Sequence, residues 1–205
     1  MSETATAARH SMDSPEWYTP FPFIRAARAV MGGIDLDPAS CEEANQCVGA
    51  TRYYSEQDNG LTQPWHGRVF LNPPGGLVPQ FWRKAIDEIV AERVEQLIVI
   101  GYSLEQLQTL QGAGRAVSPS DFPLCIPRKR IAFVENAAKR VERIQKLISR
   151  GEASGASERA KKVAAMCRMG KPPKDSPSHA NFVMYAGPHV RLFQEVFSEF
   201  GVVKL

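Results

Sequence analysis

The chain has 205 residues, 43% apolar and 23% charged, with a formal net charge of +3; this is an ordinary globular balance with room for a real core, and no apolar run approaches the roughly 18 residues of a membrane-spanning helix. The net charge hides an asymmetry: Arg128 to Asp175 holds 14 Lys and Arg against 5 Asp and Glu, which leaves the remainder at −6. One basic segment on an otherwise acidic chain points to a polyanionic partner, and the alternative is a solvated helical face.

The first residues, MSETATAARHSMDSPE, are small, polar and charged without an apolar core, so 1–15 reads as a disordered leader rather than a secretory signal. From Trp17 the chain approaches a helix, with Thr19 as cap and Pro20 at the first helical position, and Gly32-Gly33 ends it. Ile34 to Pro38 alternates apolar with acidic residues, as a short strand running into a turn does. Ser40 to Val48 reads as a helix capped by Ser40. Val69-Phe70-Leu71 is a short strand leading straight into Asn72-Pro73-Pro74-Gly75-Gly76, where neither proline can donate to a ladder. Helical spacing returns from Gln80 to Arg93 through Phe81, Ala85, Ile89 and Val90, and Leu97 to Gly101 is a buried strand.

Ile126 to Val134 and Asn181 to Tyr185 supply two late strands, expected to pair. Between them Val134, Ala137, Ala138, Val141, Ile144 and Ile148 recur at helical intervals. Gly151 to Ser157 reads as a flexible break, and Glu158 to Met169 as a second basic helix. The alternation predicts an α/β fold with a mainly parallel sheet and an antiparallel late strand pair. A single domain over 16–205 would carry a basic helical insertion at about 134–171. Cys41, Cys47, Cys125 and Cys167 form no CxxC pair, and His10, His66, His179 and His189 are scattered. Reduced thiols and no metal are expected.

Leu71-Asn72-Pro73-Pro74 is the sharpest signal. Asn-Pro marks a turn in any context, but this one follows a buried strand, where open α/β sheets bind ligands. Asp37-Pro38-Ala39-Ser40 precedes it, with Asp58 between. In these blocks the chain resembles the phage-type DNA N-6-adenine methyltransferases, amino-methyltransferases marked by Asn/Asp-Pro-Pro-aromatic. The resemblance runs along most of the chain. It includes Trp17 with Thr19-Pro20, Asp37 to Ser40 with Asn45, Tyr53-Tyr54, Asp58 to Leu61 and Trp65. Beyond the turn it takes in Phe81-Trp82, Lys84-Ala85, Arg128 to Phe133 and Ser176-Pro177-Ser178. The insertion from about Val134 to Lys171 has no place in that pattern.

The resemblance implies a compact Rossmann-like S-adenosylmethionine-dependent methyltransferase fold, with S-adenosylmethionine as cofactor and DNA as partner. It further implies a phage- or prophage-encoded protein acting in the bacterial host cytoplasm, in DNA methylation or restriction evasion. On this reading Asn72, Pro73 and Pro74 are catalytic, and Thr19, Pro20, Asp37, Ala39 and Asp58 hold the methyl donor. Phe81, Trp82 or Tyr18 would stack on the target base, and Arg128, Lys129, Arg140, Arg143 and Lys146 would meet the nucleic acid. An aromatic amine is a poor nucleophile because its lone pair is delocalised into the ring. The Asn72 side-chain oxygen and the Pro73 carbonyl can accept its hydrogens, and a proline pair keeps them in place.

Plainer roles stand beside these: a turn-forming Asp37 before Pro38, and an Asp58 that caps the Asn59-Gly60 turn. Two departures from the pattern matter. Gly75 stands where an aromatic is usual, and no GxG loop precedes Asp37. Two other functions therefore stay open. One is a catalytically silent DNA-binding or anti-restriction protein. The other is an amino-methyltransferase acting on cytosine N4 or a protein amide.

Overall fold

The computed structural model describes residues 17–111, 117–172 and 179–205; the expected leader and the Ser176-Pro177-Ser178 block lie outside the described residues. The elements are β1 (Trp17–Tyr18), α1 (Phe21–Met31), β2 (Leu36–Asp37), α2 (Glu42–Val48), β3 (Arg52–Tyr53) and β4 (Gly67–Leu71). There follow α3 (Val78–Val90), β5 (Val94–Gly101), α4 (Glu105–Gln111), β6 (Leu124–Pro127) and β7 (Val134–Glu135). The chain continues with α5 (Ala137–Glu152), α6 (Glu158–Arg168), β8 (Phe182–Ala186), α7 (Val190–Phe197) and β9 (Gly201–Lys204). It divides into two compact units, residues 18–133 with 177–205, and residues 1–17 with 134–176.

The larger unit is built on a seven-stranded sheet in the order β3-β2-β4-β5-β8-β6-β9. The first four strands are parallel neighbours and the last three pair antiparallel. The sheet is thus evenly mixed rather than mainly parallel, because β8 enters between β5 and β6 instead of pairing with β6 alone. The expected late pair is real, with Leu124 opposite Met184 and Cys125 opposite Val183. It begins earlier than the sequence suggested. From Arg128 onward the chain leaves the ladder, and the Ile131 N–H is taken by the Asn181 side chain at 2.8 Å. β5 is the centre of the sheet, with Leu97, Ile98 and Ile100 almost fully buried.

Helix starts differ from the sequence reading for local reasons. Pro20 is the N-cap of α1, not its first residue, and Thr19 is buried rather than capping. The helix turns Ile24, Ala27, Val30 and Met31 inward and stops at Gly32, whose N–H closes on the Arg28 carbonyl at 2.8 Å. Cys41 takes the cap of α2 from Ser40, its sulfur accepting the Ala44 N–H at 3.5 Å. α3 starts at Val78, ahead of the expected Gln80, because Pro79 fits a first helical turn.

The smaller unit is a helical hairpin of α5 and α6. α5 runs through Gly151, where a break was expected. A β-carbon there would stand 2.4 Å from that of Ala164 and 2.7 Å from the Ala160 carbonyl oxygen, so only glycine lets α6 approach this closely. Ser157 caps α6 by accepting the Ala160 N–H at 3.2 Å.

Candidate active site

Strand order singles out one place on the sheet. β3 lies on one side of β2 and β4 on the other, so the order reverses at β2. In an open α/β sheet, a crevice opens beyond the carboxyl ends of the strands at such a reversal. Asp37 is the last residue of β2 and Asn72 directly follows the last residue of β4. With Leu36 opposite Val69, both leave the sheet at the same edge. The two sharpest sequence signals, 35 residues apart in the chain, are neighbours in the fold.

Asp37 is 3% exposed. Burial pushes its carboxyl up to about 7, against the pull of the Ala39 N–H, which donates to Oδ1 at 3.2 Å. The Ser40 hydroxyl also favours the carboxylate, yet its oxygen is buried without a hydrogen bond of ordinary geometry. The Thr19 hydroxyl is likewise buried and unpartnered. Tyr18, next to Thr19, meets the Cys41 sulfur through its hydroxyl at 3.3 Å, which brings this segment to the start of α2 beside Ser40. Orphaned buried hydroxyls are costly. One of them, on Ser40, stands beside a poorly solvated carboxyl, a chemistry that a polar ligand with donors and acceptors would satisfy.

The loop after β3 is packed onto this corner. A β-carbon on Gly60 would stand 1.9 Å from the Pro38 carbonyl oxygen, so the chain can close down there only with glycine. Trp65, fully buried, donates to the Gly60 carbonyl at 2.8 Å. Asp58 in the same loop is exposed. One of its oxygens accepts from the Ser55 N–H at 2.8 Å and the Ser55 hydroxyl at 2.6 Å. Those bonds hold its carboxyl below the usual range.

Asn72 is half-buried, Pro73 buried and Pro74 half-buried. Pro74 is extended at φ −57° and ψ 136°, and its carbonyl accepts the Leu77 N–H at 2.9 Å to open the short helical turn over Gly75–Leu77. Gly75 and Gly76 are exposed. Beneath Pro73, beside Val78 and Trp82, the packing leaves about 10 Å³, room for no more than a water molecule.

The family model described as DNA N-6-adenine-methyltransferase (Dam) matches residues 6–147. The chain belongs to this family. No significant match was found among curated proteins or among solved structures. The family is one of DNA adenine methyltransferases, and the matched span contains both Asp37 and the Asn72-Pro73-Pro74 turn.

Against the family pattern, several expected contacts have other employment. Phe81 and Trp82 are 4% and 2% exposed, packed in the core on Trp65 and Phe122, so neither offers a ring face to a base. Asn45 ties the end of α2, its side chain bonding both the N–H and the carbonyl of Ala50. Arg128 is exposed but spans the Ser198 and Glu199 carbonyls at 3.1 and 2.9 Å, while Lys129 is exposed. In the hairpin, Arg143 forms a two-pronged pair with Glu135 at 2.7 and 3.1 Å, and Arg140 and Lys146 are exposed. Among the described residues no cluster of three potential metal ligands occurs. No helix there is long and apolar enough to cross a membrane. The sequence reading passed over Tyr102, which leaves β5 at the same edge as Asn72; an aromatic directly after a buried strand was the available signal.

Proposed function

We propose that the protein transfers a methyl group from S-adenosylmethionine to the exocyclic N6 amine of adenine in DNA. The observation that carries this reading is the Asn72-Pro73-Pro74 turn at the strand-order reversal, next to the buried Asp37, in a chain of the Dam family. Asn72 Oδ1 and the Pro73 carbonyl accept the two amine hydrogens, which localises the lone pair on nitrogen and aims it. When bound, the methyl donor supplies an electrophilic carbon on a sulfonium. That carbon would pass to the amine nitrogen as its bond to sulfur breaks, and the amine would lose one proton to water. No covalent enzyme intermediate is needed. Thr19, Asp37, Ser40 and the Asp58 loop hold the donor through its hydroxyls and amino-acid end. Pro20 and Ala39 shape the same corner, and the basic hairpin binds duplex phosphates.

Incubation with labelled donor and unmodified DNA, followed by digestion to nucleosides, tests this directly. Labelled N6-methyladenosine is expected. Labelled N4-methylcytidine would move the acceptor to cytosine. No label, together with retained DNA binding, would favour the silent DNA-binding protein suggested by Gly75 and the hairpin.

A further inference from the structure

We propose that Tyr102 is the aromatic surface on which the target base stacks, lying across the space that Gly75 leaves open. This deepens the base-methylating reading and rests on it. β4 and β5 run parallel with Leu71 opposite Val99, so Pro74 and Tyr102, each three residues further on, leave the sheet at one level. A β-carbon built on Gly75 would stand 3.5 Å from Tyr102 Cε1, 3.7 Å from Cζ and 3.8 Å from the hydroxyl oxygen. The phenol ring therefore lies in van der Waals contact with the place where a side chain at 75 would begin. Around Gly76 a β-carbon would find nothing within 4 Å. The outer side of the Asn72 turn is thus a bare glycine floor bordered by one partly exposed aromatic ring.

On the inner side, the space beneath Pro73 holds a water at most. A base that comes over the glycine floor to bring its amine to Asn72 turns its π-face to Tyr102. Bases drawn out of a duplex are commonly held by stacking against aromatic side chains. Two of the other rings considered for this task, Phe81 and Trp82, are committed to the core. The backbone of Tyr102 is held firmly. Its carbonyl accepts from Asn181 Nδ2 at 2.9 Å, and Asn181, 2% exposed, is itself fixed by the Ile131 N–H at 2.8 Å. His179 packs against the ring in a T-shaped contact, with centroids 6.3 Å apart and planes 75° apart, which steadies it.

The test is single-turnover methyl transfer to unmodified DNA by four proteins: wild type, Tyr102→Ala, Tyr102→Phe, and the double variant Tyr102→Ala with Gly75→Phe. Donor affinity is measured for each by calorimetry. Losing one base–aromatic stack should slow Tyr102→Ala about 5- to 150-fold, with donor affinity unchanged. Tyr102→Phe keeps the ring and should stay within about twofold of wild type. The double variant, which returns a ring from the other side of the same space, should recover part of the loss. Tyr102→Ala at the wild-type rate, or Tyr102→Phe as slow as Tyr102→Ala, would overturn the stacking role. A wild-type protein that binds the donor yet labels no DNA would instead overturn the activity on which this inference stands.

Discussion

An acceptor aimed at an amine matters most while the new bond is forming, so Asn72→Ala should leave donor affinity intact and depress the single-turnover rate. Removing one preorganised transition-state hydrogen bond typically costs a hundred- to a thousand-fold, about 2.7–4 kcal/mol. A variant that methylates DNA at the parent's rate would reduce the Asn-Pro-Pro turn to a structural corner. Asp37 behaves differently because its carboxyl is poised near neutrality. Its folded value of about 7 lies above the unfolded one. In the ligand-free protein its contribution to stability is therefore fully present below about pH 4 and is lost as pH rises to about 7, by at most about 4 kcal/mol. A donor that gives hydrogen bonds to the carboxylate favours the ionised form. Its affinity should climb by up to tenfold per pH unit towards about pH 7 and level off above it. Calorimetry over this range reads the effect, and Asp37→Asn should flatten the profile. A profile already flat in the wild type would mean that the carboxyl does not meet the donor.

At the scale of elements, apolar residues at helical spacing made α3 and α5 legible, and start and stop residues did the same for α1 and α6. Their ends were less so. Ser40 and Cys41 can both cap, and the place falls to Cys41 because the helix begins only at Glu42; the Ser40 N–H is bound to the Tyr54 carbonyl at 2.9 Å. Gly151 reads as a break by type, yet its lack of a side chain serves contact with α6. No local pattern announced Glu88 as the buried ionic centre of α3. It is 4% exposed and bonded to Lys84 at 2.8 Å and to Arg93. Burial works against the Glu88 carboxylate, but the bonds from Arg93 and Lys84 outweigh it and hold its pKa below the usual range. Its stabilisation is thus present above the unfolded carboxylate pKa and lost as pH falls through the folded value. Glu88→Ala should cost about 3 kcal/mol at neutral pH, lowering Tm by roughly 6–12 °C. The deficit should shrink in acid. Thermal melts at both pH values measure it, and equal losses at both would mean that the helix end matters through packing rather than charge.

For the molecule as a whole, composition marked out the basic segment but not the topology of the sheet. An α/β core was legible from alternating strands and helices. The entry of β8 between β5 and β6, and the β9 edge formed by Gly201–Lys204, were not, because long-range pairing leaves no local period. The site straddled the same limit: Asp37 and Asn72 stood out as motifs, whereas Tyr102, an aromatic after a buried strand, is tied to Asn72 by the register of β4 and β5. The basic segment is legible throughout, but its charges are not equivalent. Arg143 and Arg168 are spent on Glu135 and Glu152, and Lys161 pairs with Glu158. Arg140 and Arg150 on α5 and Lys162 on α6 are exposed, and these should carry the phosphate contacts if the hairpin binds DNA. Each phosphate neutralised contributes about 0.9 to the slope of log affinity against log salt. Changing all three to Gln should weaken binding to every duplex sequence alike and flatten that slope by up to about 2.7. Donor affinity should not move, since none of the three residues is among those proposed to hold the donor. Binding measured at several salt concentrations decides it. A triple variant with the parent's affinity and slope would make the hairpin a solvated face, whereas loss at a single DNA sequence would mean that it reads bases rather than backbone.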